Sequence, residues 1–326
     1  MLGALSPMAE SALRVLHVLA AKLLRRKLGL ADAGDPDGVV SAALFKRRYP
    51  DAFVVLAHPS SVQRNPLYRL VTWDFVADLP CPGRVKVYAD HHVTNKPCAE
   101  KSFHDPRAPA AALLALEALG LSEDLEARRL AELAVETDTA NITSEEAELL
   151  EAAVKGAGYV EKLKLVEELA RKGVRVLEEA AVRLVAERFS VKRKRTEEFL
   201  EKLPLERVML VFFERDLGLS HRYLTILLER RGVEFAVLVV PKKFFKYRVY
   251  LGARRDSGFD ASLLAKALGG GGHAFAAGAM VRSLGLTRVR ERILMLVREI
   301  YKLDSTPVYL VSRDGKVSRL CSACTV

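Results

Sequence analysis

The chain has 326 residues, 50% hydrophobic and 28% charged, with no apolar run of bilayer length, which excludes a disordered chain and a helical membrane protein. Fifty-one Lys and Arg against 41 Asp and Glu leave a net charge of +10. That balance favours polyanion partners, nucleic acid first, although one Gln and three Asn among abundant Glu, Lys and Arg also fit a heat-adapted surface.

The length suits two domains. The cysteines (Cys81, Cys98, Cys321, Cys324) are scattered. No disulfide framework is expected, and neither is a leader, so the expected compartment is the cytoplasm. Cys321 and Cys324 have the spacing of half a zinc site without a second pair.

Taken in order, residues 9–27 carry Leu13, Leu16, Val18, Leu19, Leu23 and Leu24 at helical spacing, with His17 among them. A strand over 28–33 follows. Gly34-Asp35-Pro36-Asp37-Gly38 then leads into a helix from Val39. In extended backbone Asp35 and Asp37 fall on one side, and two carboxylates so held suit divalent cations. An ordinary turn uses the same residues. Strands are expected over 52–57 and 70–75, the latter ending on Asp74, with Trp73 in the core. Residues 85–89 are expected to form a fourth, delivering Asp90-His91-His92 at its end. Ligands bind at the carboxyl ends of strands in open α/β sheets. An acid followed by two imidazoles offers metal ligands and a group to orient them.

Asp105-Pro106-Arg107-Ala108-Pro109 precedes a helix to Leu119, and a helix over 122–135, capped by Ser122, delivers Thr137-Asp138-Thr139. Another helix covers 145–154. Alternating strands and helices imply a mostly parallel sheet. Its set of acids with one or two imidazoles suits Mn²⁺ or Mg²⁺ better than structural zinc.

The ordered set Asp-Pro-Asp-Gly, strand-end Asp, Asp-His-His and Thr-Asp-Thr resembles the DHH phosphoesterase superfamily over residues 28–142. Residues 158–188 read as one or two connector helices, and Lys192-Arg193-Lys194-Arg195 as a solvated surface or a nucleic-acid contact. Beyond Leu205, strands over 208–213, 235–240 and 247–253 and a helix over 223–231 are expected. Lys242-Lys243-Phe244-Phe245-Lys246-Tyr247 reads equally as a base-stacking element or a plain hairpin turn. Four glycines, Gly269-Gly270-Gly271-Gly272, precede His273. They are expected to bring N–H groups to an anion, because such a run costs folding entropy. With Ala274-Phe275-Ala276-Ala277-Gly278 this stretch resembles the DHH-associated C-terminal domain. Leu251-Gly252-Ala253-Arg254 is similar to its substrate-binding arginine strand, with Gly252 where a serine is usual. A helix over 289–301 and a hairpin near Val308 and Val317 close the chain.

The resemblance implies an α/β fold in which a DHH domain (1–157) is joined by connector helices (158–204) to a smaller α/β domain (205–326), with the active site in the cleft between. It implies two divalent cations, Mn²⁺ first and Mg²⁺ as the alternative, held by Asp35, Asp37, Asp74, His91 and Asp138. His92 would face the substrate phosphate and Asp90 would orient an imidazole. Arg254, Gly270, Gly271, Gly272 and His273 would grip the terminal nucleotide. The implied activity is hydrolysis of single-stranded or short RNA or DNA, of the RecJ or nanoRNase type. The alternatives are a small-nucleotide phosphatase or phosphodiesterase and a catalytically silent replication or repair scaffold. No membrane partner is expected; a homodimer and replication or repair proteins are the expected associations. Family members carry a further ligand, often His, just before the first motif. Here Ala31 and Ala33 stand there, and Asp32 is the residue available to substitute.

Overall fold

A computed structural model of the chain describes residues 7–320 except 140 and 304, so Cys321 and Cys324 lie outside the described residues. It divides into two compact units, residues 1–190 and 191–326.

The first unit follows α1 (Pro7–Leu23), β1 (Leu28–Asp32), α2 (Pro36–Arg48), β2 (Phe53–Ala57), α3 (Pro59–Arg64), α4 (Leu67–Leu70), β3 (Trp73–Ala77), β4 (Val85–Asp90), β5 (Ala99–His104), α5 (Ala111–Ala118), α6 (Leu125–Asp138), α7 (Glu145–Gly156) and α8 (Tyr159–Lys172). The strands form one sheet in the order β2-β1-β3-β4-β5, with every pairing parallel. The uniform apolar runs of β1 and β2 are explained by cover on both faces. Ala31, Leu56, Phe75 and Ala89 pack towards α2 and α5–α8. Leu30, Val55, Val76 and Tyr88 pack towards α1 and α3. The strand order reverses between β1 and β3, which places a crevice at their carboxyl ends.

Several expectations change. α2 begins at Pro36, capped by Asp35 in extended backbone (φ −144°), so Asp37 lies in the first helical turn rather than in an extended loop. α6 begins at Leu125 and is capped by Asp124, which accepts from the Ala127 N–H at 3.1 Å, not by Ser122. Arg47 holds that cap through two bonds of 2.6 and 2.9 Å. The motif's Asp138 is therefore the last residue of a helix. The polar edge strand β5 has too little apolar patterning to be expected. α8 joins the first unit's core through Leu165, Val166 and Leu169 rather than standing apart as a connector. Cys81 and Cys98 form a disulfide, with Cα atoms 5.9 Å apart, against the expectation of none.

Helix α9 (Ala180–Leu200) carries Lys192–Arg195 and runs into the second unit. There β6 (Val208–Phe213), α10 (His221–Arg230), β7 (Phe235–Lys242), β8 (Lys246–Ala253), α11 (Ala261–Ala267), β9 (Gly271–His273), β10 (Ala276–Arg282), α12 (Leu286–Tyr301), β11 (Val308–Val311) and β12 (Val317–Leu320) follow. The sheet order is β12-β11-β6-β7-β8-β10-β9, with β11, β6 and β7 parallel and the remainder antiparallel. The expected terminal hairpin is present and extends this sheet. One face packs against α11 and α12, the other against α10 and the end of α9. No described helix is long and apolar enough to cross a membrane.

Candidate metal centre

The carboxyl ends of β1, β3 and β4 converge on one cluster. Asp32 closes β1 and is 6% exposed. The ideal Cβ of a residue replacing Gly38 would lie 2.5 Å from the Asp32 carbonyl oxygen, so only glycine lets α2 start this close to β1. Asp78 follows β3 and is 3% exposed. Its backbone is left-handed (φ 55°), a conformation that Asp tolerates better than most residues and that turns the chain sharply at the strand end. Its N–H donates to the Ala89 carbonyl at 3.0 Å.

Three groups of side chains bring ligand atoms within 4.8 Å of one another: Asp32, Asp35 and Asp78; Asp37, His91 and Asp138; and Asp78, His91 and His92. His91 Nε2 stands 3.7 Å from Asp37 Oδ2, 3.7 Å from Asp138 Oδ2 and 3.9 Å from Asp78 Oδ1. Its other nitrogen, Nδ1, is 3.1 Å from the Ala108 carbonyl oxygen. A carbonyl only accepts, so Nδ1 carries the proton, and in the neutral ring Nε2 turns its lone pair towards three carboxylates. Lone pairs facing one another across under 4 Å fit a cation between them, and Asp78 is shared between two of the groups.

The electrostatics agree. Burial first, and neighbouring carboxylates after it, push Asp37 up to about 8, raise Asp78 well above the ordinary carboxylate range and raise Asp35 as well. Asp37 also accepts from the Ala111 and Ala112 N–H groups at 2.7 Å each. It thereby caps α5, whose own N-cap residue Ala110 has no side chain to do so. Asp90 is fully buried. Burial opposes its charge, but hydrogen bonds from His92, Tyr88 and Asn95 outweigh it and hold the carboxyl below its usual range. The His92 Nδ1 bond to Asp90 (2.9 Å) raises the imidazole's pKa, and that side chain is 51% exposed.

Asp74 is not brought into the cluster. It sits near the start of β3, where its carboxylate accepts from the Leu28 N–H at 2.9 Å and from Lys86 at 2.8 Å. The acid at the end of that strand is Asp78, one residue beyond the buried run 75–77. The strand expected over 70–75 forms over Trp73–Ala77, so Asp74 falls near its start rather than at its end. Lys162 is a second residue missed: it donates to the Ala33 carbonyl, and burial lowers its pKa despite Asp32 and Asp35 nearby. A single Lys on an amphipathic helix gives no signal of this in sequence.

In the second unit the four glycines serve packing more than expected. Gly269 (φ 77°) and Gly270 donate to the Lys266 and Ala265 carbonyls, ending α11 in a Schellman motif. Ideal Cβ atoms at Gly270 and Gly272 would lie 2.1 and 2.5 Å from carbonyl oxygens of β10. Only Gly271 meets nothing within 4 Å and lacks a positive φ. His273 is exposed and stacks on Phe275, 5.7 Å between centroids at 10°. The guanidinium 4.6 Å over Phe275 belongs to Arg255, whereas Arg254 Nε donates to Asp256 at 2.5 Å. Gly252 is also packed: a Cβ there would lie 2.4 Å from Glu229 Oε1 and 2.8 Å from Thr225 Cβ, which leaves no room for a serine.

Residues 208–302 match the model of the DHHA1 domain. The second unit therefore carries a DHHA1 domain. The chain is similar to a pGpG-specific phosphodiesterase, PggH from Vibrio cholerae, at 20% identity and TM-score 0.56, covering 83% of this chain and 98% of that one. It is similar to exonuclease RecJ bound to manganese at 20% identity and TM-score 0.51, covering 86% and 94%. It is also similar to RecJ from Thermus thermophilus in complex with Mg²⁺ at 16% identity and TM-score 0.54, covering 92% of this chain and 54% of that one. No curated protein matches by sequence. Outside that domain, the Asp-His-His motif of Asp90, His91 and His92 stands at the end of β4.

Proposed function

We propose that the chain is a divalent-cation-dependent phosphodiesterase of short single-stranded oligonucleotides. The observation that carries this reading is the cluster of Asp32, Asp35, Asp37, Asp78, His91 and Asp138 at the carboxyl edge of the first sheet. Its donors are oxygen-rich with one imidazole, a set suited to Mn²⁺ or Mg²⁺. Relatives in fold include RecJ structures described with each of those ions. Asp78, shared between groups, would bridge two cations, a role the motif order had assigned to Asp74. Asp32 would fill the place where family members carry a ligand before the first motif.

Bound cations would lower the pKa of water and offset charge developing on a phosphoryl group. The chain's own residues supply the rest. Asp90 fixes the His92 ring and raises its pKa, so the half-exposed imidazole beside the cluster is biased towards the form that would donate to a phosphate oxygen. Asp37 and the Ala108 carbonyl fix the positions of α5 and His91. In the second unit, His273, Phe275 and Arg255 form a stacked row suited to a base and its phosphate.

The test is a time course on labelled pGpG and on short single-stranded RNA and DNA with Mn²⁺, Mg²⁺ or chelator, beside Asp78→Asn. Metal-dependent hydrolysis that the variant lacks is expected. Hydrolysis surviving in the variant overturns the metal assignment. Absence of both hydrolysis and Mn²⁺ binding in the wild type favours a silent scaffold.

A further inference from the structure

The hairpin joining β7 and β8 turns on residues that tight turns rarely use. Phe244 and Phe245 both lie in the left-handed region, at φ 61° and 54°. Asn and Gly ordinarily supply that conformation, and other L residues are destabilised by adopting it. Burial does not recover the loss, because Phe244 is 82% and Phe245 67% exposed. Strain of this kind persists where exposure of the side chains is itself useful.

Their surroundings are cationic. Lys243, Lys246 and Arg282 have no acidic partner among the described residues, while Lys242 is held by Asp216 at 2.5 Å. Leu284 nearby is 74% exposed. Phe244, Phe245, Lys246, Arg282, Ser283 and Leu284 line an open recess of about 600 Å³. Apolar rings beside unpaired cations in a recess match a flat base attached to a phosphate.

We propose that this hairpin tip is a second binding point for single-stranded nucleic acid, with bases against Phe244 and Phe245 and phosphates at Lys243, Lys246 and Arg282. The proposal rests on the oligonucleotide reading above and narrows it to strands longer than a dinucleotide. The β8–β10 register supports this: Lys246 pairs with Arg282 at the tip, and Gly252 pairs with Ala276 at the end that leads to Arg254, Arg255 and His273. At the usual rise per residue the two ends of this ladder are about 20 Å apart. A dinucleotide engages one end; a longer strand reaches both.

The deciding variant combines Phe244→Asn with Phe245→Gly, the pair such a turn prefers. It removes the rings and relieves the backbone, so its Tm should equal or exceed that of the wild type. Binding is read by fluorescence anisotropy in chelator, with labelled pGpG and with single-stranded RNA and DNA of about twelve nucleotides. The wild type should bind the longer strands at least about tenfold more tightly than pGpG, and the variant should lose about tenfold on the longer strands. Unchanged affinity for the longer strands in a stable variant overturns the proposal. So does loss of binding to phosphatidylserine–phosphatidylcholine vesicles without loss of strand binding, which would make the tip a lipid anchor. Wild-type hydrolysis with Mn²⁺ is scored separately. Strand binding without hydrolysis would refute the phosphodiesterase reading, and hydrolysis without tip-dependent binding would refute this one.

Discussion

Asp74 and Asp78 belong to one strand and its first following residue, yet they serve opposite edges of the sheet. Asp74 pins the start of β1 through the Leu28 N–H, while Asp78 sits among the ligand atoms at the other edge. Asp78→Asn should abolish Mn²⁺ binding, read by calorimetry, and lower kcat by at least about a hundredfold, on the scale of losing a key electrostatic group. Asp74→Asn should leave Mn²⁺ affinity unchanged and lower stability by about 1–3 kcal/mol in urea unfolding, because Leu28 N–H and Lys86 lose their charged acceptor.

Metal affinity should rise with pH. In the metal-free fold Asp37 keeps its proton up to about 8, whereas an ordinary carboxyl loses it near 3.8. Between those values the folded state holds a proton that the unfolded chain has released, so metal-free stability falls as pH rises. A cation must displace the same proton. Titrations should therefore show Mn²⁺ binding more tightly at pH 8 than at pH 6, and a larger Mn²⁺-induced rise in Tm at pH 8. A pH-independent affinity would contradict the buried assignment of Asp37.

Acid should weaken the second unit at one identifiable point. His221 is buried between Phe213 and Tyr250, its Nε2 has no hydrogen-bond partner among the described residues, and burial lowers its pKa to about 4. The unfolded chain takes up a proton near 6.5 and the fold does not, so stability present above 6.5 is lost as pH falls towards 4. The loss is up to about 3 kcal/mol. His221→Phe should flatten the stability profile over that window relative to the wild type.

Reduction of Cys81–Cys98 should destabilise the first unit. The bridge closes a loop with a sequence separation of 17 that contains β4 and the Asp90-His91-His92 motif. A loop of that size is worth about 3 kcal/mol in the chain-entropy view. Cys81→Ser should lower Tm, and reductant should lower the wild type to a similar value while leaving the variant unmoved.

The glycine run separates into positions by what a Cβ would meet. Gly271→Ala should cost under about 1 kcal/mol, whereas Gly270→Ala should cost about 2–4 kcal/mol, since backbone rather than a flexible side chain occupies the space. Thermal unfolding of the two variants checks the contrast.

The buried strands β1, β2, β4, β6 and β7 were legible because their apolar runs are bounded by Gly, Pro and acids, and the motif order pointed to the α/β architecture. Asp35, Asp37, His91 and Asp138 were legible through those motifs, and the structure brings all of them to one cluster. Asp78 was not, because Trp73-Asp74-Phe75 contains an acid that alternates correctly for a strand and draws attention from the residue beyond it. The disulfide was hidden by the distance in sequence between its cysteines. The roles of Gly269, Gly270 and Gly272 were hidden because glycines that permit close packing look the same in sequence as glycines that greet an anion.

Asp37 holds together two helices as well as facing His91, since its oxygens receive the first free N–H groups of α5 while its own backbone belongs to α2. Architecture and chemistry are therefore written in the same letter. A descendant of such a protein that abandoned catalysis could discard Asp138 or Asp78 at little structural expense, but would still retain Asp37 to keep its shape. Persistence of this aspartate across diverged copies is thus poor testimony to activity, and the presence of Asp78 and Asp138 is the better witness.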